Sequence, residues 1–147
     1  MVPPVLLLAA IAVGGCASNT PDILEVGPTG HVDDAKRYVP LKVQDHWPLA
    51  VAADTQTIVK RELENAKSAE FNEVPRYEAY YDKVQDVTRL SVFGNVETRD
   101  PERHVIRRGF HVVWQRPGNL RNEKVAADPD LSQPWTLEIA EVLDSPV

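Results

Sequence analysis

The hydrophobic pattern changes its period once along the chain, and this change limits the folds that the chain can adopt. From Trp47 to Ala66, apolar residues recur every three or four positions, which predicts one face of an amphipathic helix of about five turns. From Val87 onward, apolar and polar residues alternate, which predicts strands that bury one face. A helix followed by strands is typical of an α+β domain in which the helix packs on the sheet.

The predicted helix begins at a capping residue and has two different faces. Asp45 is a suitable N-cap, and Pro48 suits the first turn. The side predicted to face the sheet carries Leu49, either Ala52 or Ala53, Gln56, Val59, Leu63 and Ala66. The side expected to face water carries Asp54, Lys60, Arg61, Glu64 and Lys67.

Three antiparallel strands are predicted at residues 87–98, 104–115 and 135–139, and tyrosines indicate a fourth at 74–81. Pro101 suits the second position of a type I turn that joins the first two strands into a hairpin. The predicted fold class is therefore α+β, with one long N-terminal helix packed on a three- to four-stranded antiparallel sheet in two layers. This single domain is predicted to cover residues 46–147.

The N-terminal region combines a short apolar run at residues 5–13 with the only cysteine of the chain, Cys16. The run is too short to span a bilayer, which takes about 20 apolar residues, but it has the length of a signal-peptide core, about 7–15. A lone cysteine excludes an internal disulfide and a zinc site built on paired cysteines. The alternative, a buried helix with a structural cysteine, is disfavoured by the prolines and glycines that flank the run.

The tetrapeptide Val13-Gly14-Gly15-Cys16 resembles the lipobox of bacterial lipoproteins, in which an aliphatic residue and small residues precede the lipid-bearing cysteine. The resemblance implies that residues 1–15 are a signal peptide cleaved before Cys16. It also implies diacylglycerol on the Cys16 sulfur and an acyl group on the new amine. Because Ala17 and not Asp follows the cysteine, it implies the outer membrane, with the periplasmic face of the inner membrane as the alternative.

Residues 16–45 are predicted to form a flexible, lipidated tether. Prolines and glycines interrupt short polar pieces there, and no helix or strand period persists. A coil of this length reaches about 30 Å on average, which would hold the domain near the membrane. Apolar residues that could dock part of the tether on the domain are Leu24, Val26, Tyr38, Val39 and Leu41.

A second, looser likeness covers about sixty residues of the domain. The segments 67–71, 92–96 and 109–112 resemble a pattern in small secreted bacterial proteins of unassigned function. In that pattern a helix is followed by Ser-Ala-x-Phe and then by two strands that contain glycine. Phe93 stands where those proteins often carry cysteine, and the likeness implies a fold and no activity.

The four histidines do not predict a metal site. His31 and His46 lie in or beside the tether, whereas His104 and His111 are seven residues apart on one predicted strand. An odd separation places two side chains on opposite faces of a strand. We therefore expect no bound metal and no cofactor.

Two further sets of residues have both a structural and a functional interpretation. Arg103, Arg107 and Arg108 lie near Glu97 and Glu102, so cross-strand ion pairs are expected, with an anion-binding patch as the alternative. Aromatic residues that would fill the core could instead line a groove for a small apolar ligand: Tyr77, Tyr80, Tyr81, Trp114 and Trp135.

The sequence indicates a protein without enzymatic activity. It has no Gly-x-Ser-x-Gly elbow and no phosphate-binding loop, and the carboxylates of Asp82 and Asp86 resemble those of any acidic surface. The net charge of −6 disfavours nucleic acid as a partner. The leading hypothesis is a lipoprotein, held to the membrane by lipid on Cys16, that is an accessory or structural subunit bound to a protein partner in the envelope. The alternative is a periplasmic module that binds a small apolar or anionic ligand.

Overall fold

The computed structural model describes residues 34–121, 123 and 134–147. Its main element is a sheet of five antiparallel strands that lie side by side in chain order. The strands are β1 (Tyr38–Leu41), β2 (Arg76–Asp82), β3 (Val87–Arg99), β4 (Val105–Pro117) and β5 (Thr136–Val142). The helix α1 (His46–Arg61) lies between β1 and β2 in the chain, and shorter helical turns occupy Asp34–Arg37 and Ala66–Ser68.

The predicted α+β class, with one long N-terminal helix on a three- to four-stranded sheet, was wrong, because the described domain is mostly β. α1 has 16 residues and ends at Arg61, although the apolar period continues to Ala66. The sheet has a fifth strand because β1 pairs with β2, and β1 also precedes the helix. β1 has only four residues, one of them Pro40, and they show no alternation of apolar and polar side chains. The sequence pattern therefore did not reveal this strand within residues 16–45.

The four strands predicted from alternation and from the tyrosines are confirmed as β2 to β5, with ends that differ by a few residues. β3 and β4 form the predicted hairpin and pair with each other along 13 residues each. β2 and β5 are shorter, so the turn end of this hairpin projects beyond both of them.

The buried side of α1 agrees with the prediction only toward the C-terminal end, where Val59 and, just past the helix, Leu63 are buried. Its buried residues are Trp47, Val51, Thr55 and Val59, each four positions after the last. Leu49, which was predicted to face the sheet, is 82 % exposed. Thr55 belongs to the buried side because its Oγ1 accepts a hydrogen bond from Nε1 of Trp114 at 2.9 Å. Asp45 occupies the N-cap position, but its side chain makes no capping hydrogen bond.

The two faces of the sheet are buried in different ways. The face against α1, called the helix face here, is apolar and carries Leu90, Val92, Val96, Phe110, Val112 and Trp114. The opposite face, called the distal face, carries buried charged residues as well. On it, Asp82 is 0 % exposed and Arg89 is 2 % exposed. Charged residues are seldom fully buried unless they are paired, so the distal face holds the first candidate for a functional site.

Candidate functional site

A cluster of four charged side chains lies on the distal face. Oδ2 of Asp82 is 2.6 Å from Nη1 of Arg89 and 2.9 Å from Nη2 of Arg37. Nε of Arg89 donates a hydrogen bond to Oε2 of Glu138 at 2.6 Å, and its Nη2 donates to Oε1 of Gln85 at 2.8 Å. The cluster joins β2, β3 and β5 with the turn that precedes β1. Its two positive and two negative charges balance, as buried charges must if they are to be stable.

Asp82 and Arg89 of this cluster stay ionised at neutral pH. Burial opposes the ionisation of Asp82, but hydrogen bonds from Arg37, Arg89 and two backbone N–H groups outweigh burial and lower its pKa well below the usual range. Burial acts to lower the pKa of Arg89 as well, yet hydrogen bonds to Glu138 and Asp82 raise it. A carboxylate held in this way is a poor proton donor or acceptor near pH 7, so Asp82 does not fit an acid–base role.

A second row of side chains crosses four strands of the distal face, from Arg76 through Phe93 and His111 to Glu141. The rings of Phe93 and His111 stack with their centroids 4.3 Å apart, and Cζ of Arg76 lies 4.6 Å from the Phe93 centroid. Nδ1 of His111 is 3.5 Å from Oε1 of Glu141, whereas its Nε2 is buried and has no hydrogen-bond partner in the described part of the chain. Burial lowers the pKa of His111, although the carboxylates of Glu141 and Glu78 act to raise it.

The stability of the domain is expected to fall as the pH falls below about 6.5, the ordinary pKa of histidine. Because the pKa of His111 is lowered in the folded chain, the unfolded chain binds its proton first, and unfolding becomes more favourable by at most about 1.4 kcal/mol per pH unit. Urea unfolding at pH 7.0, 6.0 and 5.0 measures this slope. His111→Gln should reduce the slope relative to the wild type. Equal slopes in the wild type and in His111→Gln would show that His111 does not cause the pH dependence of stability.

A third group of contacts holds Glu123 against the start of α1. Its Oε1 accepts hydrogen bonds from Nε1 of Trp47 at 2.9 Å and from His46, whose Nε2 lies 3.1 Å away. Its Oε2 is 2.6 Å from Nη1 of Arg116. Burial acts to raise the pKa of Glu123, but these partners lower it. Trp135 packs edge to face against Trp47, with ring centroids 5.6 Å apart, so this end of the core is closed by paired side chains.

The five aromatic residues considered for a ligand groove do not line one space. Tyr77 and Trp114 lie on the helix face, whereas Tyr80 lies on the distal face beside Tyr38. The hydroxyl of Tyr81 donates a hydrogen bond to Asp86. A cavity beside α1, lined in part by Thr55, Phe71, Tyr77 and Phe110, measures about 60 Å³. Pockets that bind small molecules measure about 300 Å³ or more, so this cavity is too small for such a ligand.

The arginines of β4 form ion pairs, but not with the partners that sequence proximity indicated. Arg107 pairs with Glu73, although it lies directly opposite Glu97 in the hairpin. Arg108 contacts Asp144 and donates a hydrogen bond to the carbonyl of Leu143. The arginines therefore fix neighbouring segments to the hairpin.

The remaining candidates of the sequence are dispersed. His104 precedes β4, in a turn with Asp100 and Glu102, where ligand atoms of the three lie within 4.8 Å of one another. One oxygen of Asp100 already accepts two backbone hydrogen bonds, so the cluster is part of the turn. Asp82 is buried, whereas Asp86 is exposed in the β2–β3 turn with a φ of 54°.

Two predicted residues, Cys16 and His31, lie outside the described residues. In the described part of the chain, none of the helices has the length and apolar character needed to cross a bilayer. No protein-family model, no curated protein and no solved structure matches the chain.

Proposed function

We propose that this protein is a lipid-anchored, non-enzymatic accessory subunit of an envelope or membrane-protein assembly. The lipobox Val13-Gly14-Gly15-Cys16 supports the anchor, with the outer membrane as its place because Ala17 follows the cysteine. The observation that carries the accessory role is that neither of two cavities in the described part of the chain is an enclosed chamber of ligand size. The cavity beside α1 measures about 60 Å³, and a larger one of about 430 Å³, beside Lys67 and Arg99, is a shallow depression open to solvent. A ligand-binding module would need an enclosed chamber of about 300 Å³ or more.

The charge cluster on the distal face also supports a role without catalysis. Asp82 and Arg89 satisfy each other and two further charged partners, so neither is left to act on a substrate. Even a fully extended chain between Cys16 and Asp34 reaches only about 60 Å. An anchored domain would therefore meet its partners close to the membrane surface.

Metabolic labelling tests the anchor, and co-isolation tests the accessory role. Radiolabelled palmitate is expected to enter the wild-type chain and to be absent from Cys16→Ser. After chemical cross-linking of intact cells, the wild-type chain should be isolated from solubilised membranes together with a larger protein. Failure of the label to enter would overturn the anchor. Entry of the label without any cross-linked partner would overturn the accessory role.

A further inference from the structure

The projecting end of the β3–β4 hairpin has an edge that the sheet leaves open. β5 pairs with β4 from Phe110 onward, so residues 105–108 have no strand partner on that edge within the described chain. Val105 is 52 % exposed at the end of this segment. An open edge presents N–H and C=O groups that can bind the main chain of another segment.

The last residues of the sequence, 143–147, called the tail here, bind beside this edge through main-chain atoms. The carbonyl of Gly109 accepts a hydrogen bond from the N–H of Leu143 at 2.8 Å, and its N–H donates to the carbonyl of Ser145 at 2.9 Å. Nε of Arg108 donates to the carbonyl of Leu143 at 2.9 Å. Recognition by main-chain atoms places few demands on the sequence of the segment that binds.

On the distal face, the side chain of Asn95 also binds the tail. Its Oδ1 accepts a hydrogen bond from the N–H of Val147 at 2.8 Å, and its Nδ2 donates to the carbonyl of Val147 at 3.2 Å. Gly109 is the cross-strand neighbour of Asn95. A Cβ atom at Gly109 would lie 2.9 Å from the carbonyl oxygen of Ser145 and 2.7 Å from Cγ1 of Val147. The tail can therefore cross the sheet only because residue 109 is glycine.

The two sides of this contact differ in burial. Asn95 is 7 % exposed, whereas residues 144–147 of the tail are all exposed. The tail has few apolar contacts to lose if it leaves. Release of the tail would break the two hydrogen bonds between Asn95 and Val147, whereas the contact between Nδ2 of Asn95 and Oε1 of Glu73, at 3.4 Å, would remain. A peptide that presents a main-chain N–H and C=O at the same positions restores the two broken bonds.

We propose that Asn95, Arg108 and Gly109 form a docking groove for a peptide segment of a partner protein, and that the tail is its resident competitor. The partner segment has a small residue opposite Gly109, as Ser145 is, and an acidic residue near Arg108, as Asp144 is at 3.4 Å. A longer segment gains further main-chain hydrogen bonds along residues 105–108, as in β-strand addition. The inference rests on the proposed accessory function and names the surface through which it acts.

Peptide binding tests the groove without lipid, membrane or partner, because every chain used carries Cys16→Ser. The probe is the fluorescein-labelled peptide Leu-Asp-Ser-Pro-Val, the sequence of residues 143–147. A chain that ends at Val142 is expected to bind it saturably by fluorescence anisotropy. The full chain should bind at least about 10-fold more weakly, because a tethered tail competes at high effective concentration.

Substitutions in the shortened chain locate the binding site. Asn95→Leu is expected to weaken binding at least about 10-fold, since two hydrogen bonds to the peptide are lost. Asn119→Leu, at an exposed asparagine just beyond β4, is the matched control and should bind as the parent does. Equal binding by the full and shortened chains, or no loss with Asn95→Leu, would overturn the proposal.

A second measurement applies if circular dichroism shows that the shortened chain is unfolded. In the full chain, the peptide should accelerate hydrogen exchange at the amides of Leu143 and Val147 as it displaces the tail. Unchanged exchange at 1 mM peptide, roughly the effective concentration of a tethered competitor, would overturn the groove. A failed titration leaves palmitate labelling and cross-linking unaffected, so failure of the groove is distinguishable from failure of the proposed function.

Discussion

Replacing Asp82 by alanine is expected to lower the free energy of unfolding by about 3–5 kcal/mol, because it leaves Arg89 buried with only part of its compensating charge. Asp82 is 0 % exposed and accepts hydrogen bonds from Arg37 and Arg89. It also accepts two backbone N–H groups of the β2–β3 turn, which lose their partner in the variant. Urea unfolding followed by tryptophan fluorescence measures the loss.

The pH dependence of this effect has a defined sign. The pKa of Asp82 is lowered in the folded chain, so its contribution to stability is complete above about pH 4 and is lost as the pH falls below that value. The difference between wild type and Asp82→Ala should therefore shrink between pH 4 and pH 2. Asp54→Ala, at an exposed position of α1, is the control and should change stability by less than about 0.5 kcal/mol at either pH. A similarly small effect of Asp82→Ala would show that the cluster does not stabilise the fold.

Replacing Trp47 by alanine is expected to cost about 3–5 kcal/mol, the range for removing a large buried aromatic side chain. Trp47 is 0 % exposed, packs against Trp135 and donates a hydrogen bond to Glu123. The substitution leaves a cavity at the start of α1 and a partly buried carboxylate with one partner fewer. Thermal and urea unfolding should both show the loss.

Leu49→Ala provides the matched control for Trp47, because it removes an apolar side chain from the same helix two residues later. Leu49 is 82 % exposed, so its loss should change the free energy of unfolding by less than about 0.5 kcal/mol. The helical period of the sequence placed Leu49 against the sheet, so this control also tests that prediction. A larger effect at Leu49 than at Trp47 would therefore contradict the observed orientation of α1.

Alternation revealed β3 and β4 because the apolar residues of each that pack against α1 share one parity. It also located β5, although a register shift opposite Val113 and Trp114 changes the parity of the β5 residues that lie on the helix face. The same reasoning failed for β1, whose four residues include Pro40 and are too few to show a period. It also failed for the first turns of α1, where Leu49 is exposed, although Val59 and Leu63 are buried as predicted. The buried side of α1 includes Thr55, whose hydroxyl is satisfied by Trp114, and only the folded chain brings these two together.

The charged site was not predictable from local pattern. Arg89 has the same parity as Ser91 and Phe93, which in a sheet with one solvated face is the side that meets water. The burial of Arg89 depends on a hydrogen bond to Glu138, which is 49 positions away in the sequence. It also depends on Asp82, which accepts a hydrogen bond from Arg37, 45 positions away from Asp82 in the sequence. The one site that the sequence did name, Cys16, lies outside the described residues and stays a prediction.

The chain-order arrangement of the sheet has a consequence for how the domain forms. Each strand pairs only with the strand before or after it, so the β2–β3–β4 unit needs short loops and no distant partner. Sheets built from such local pairings fold faster than those that wait for remote segments. We expect this unit to assemble first, and β1 and β5 to add to its two sides. Arg37 lies next to β1 and Glu138 lies in β5, so the ion pairs that these two residues make in the charge cluster would form only in the last step of folding.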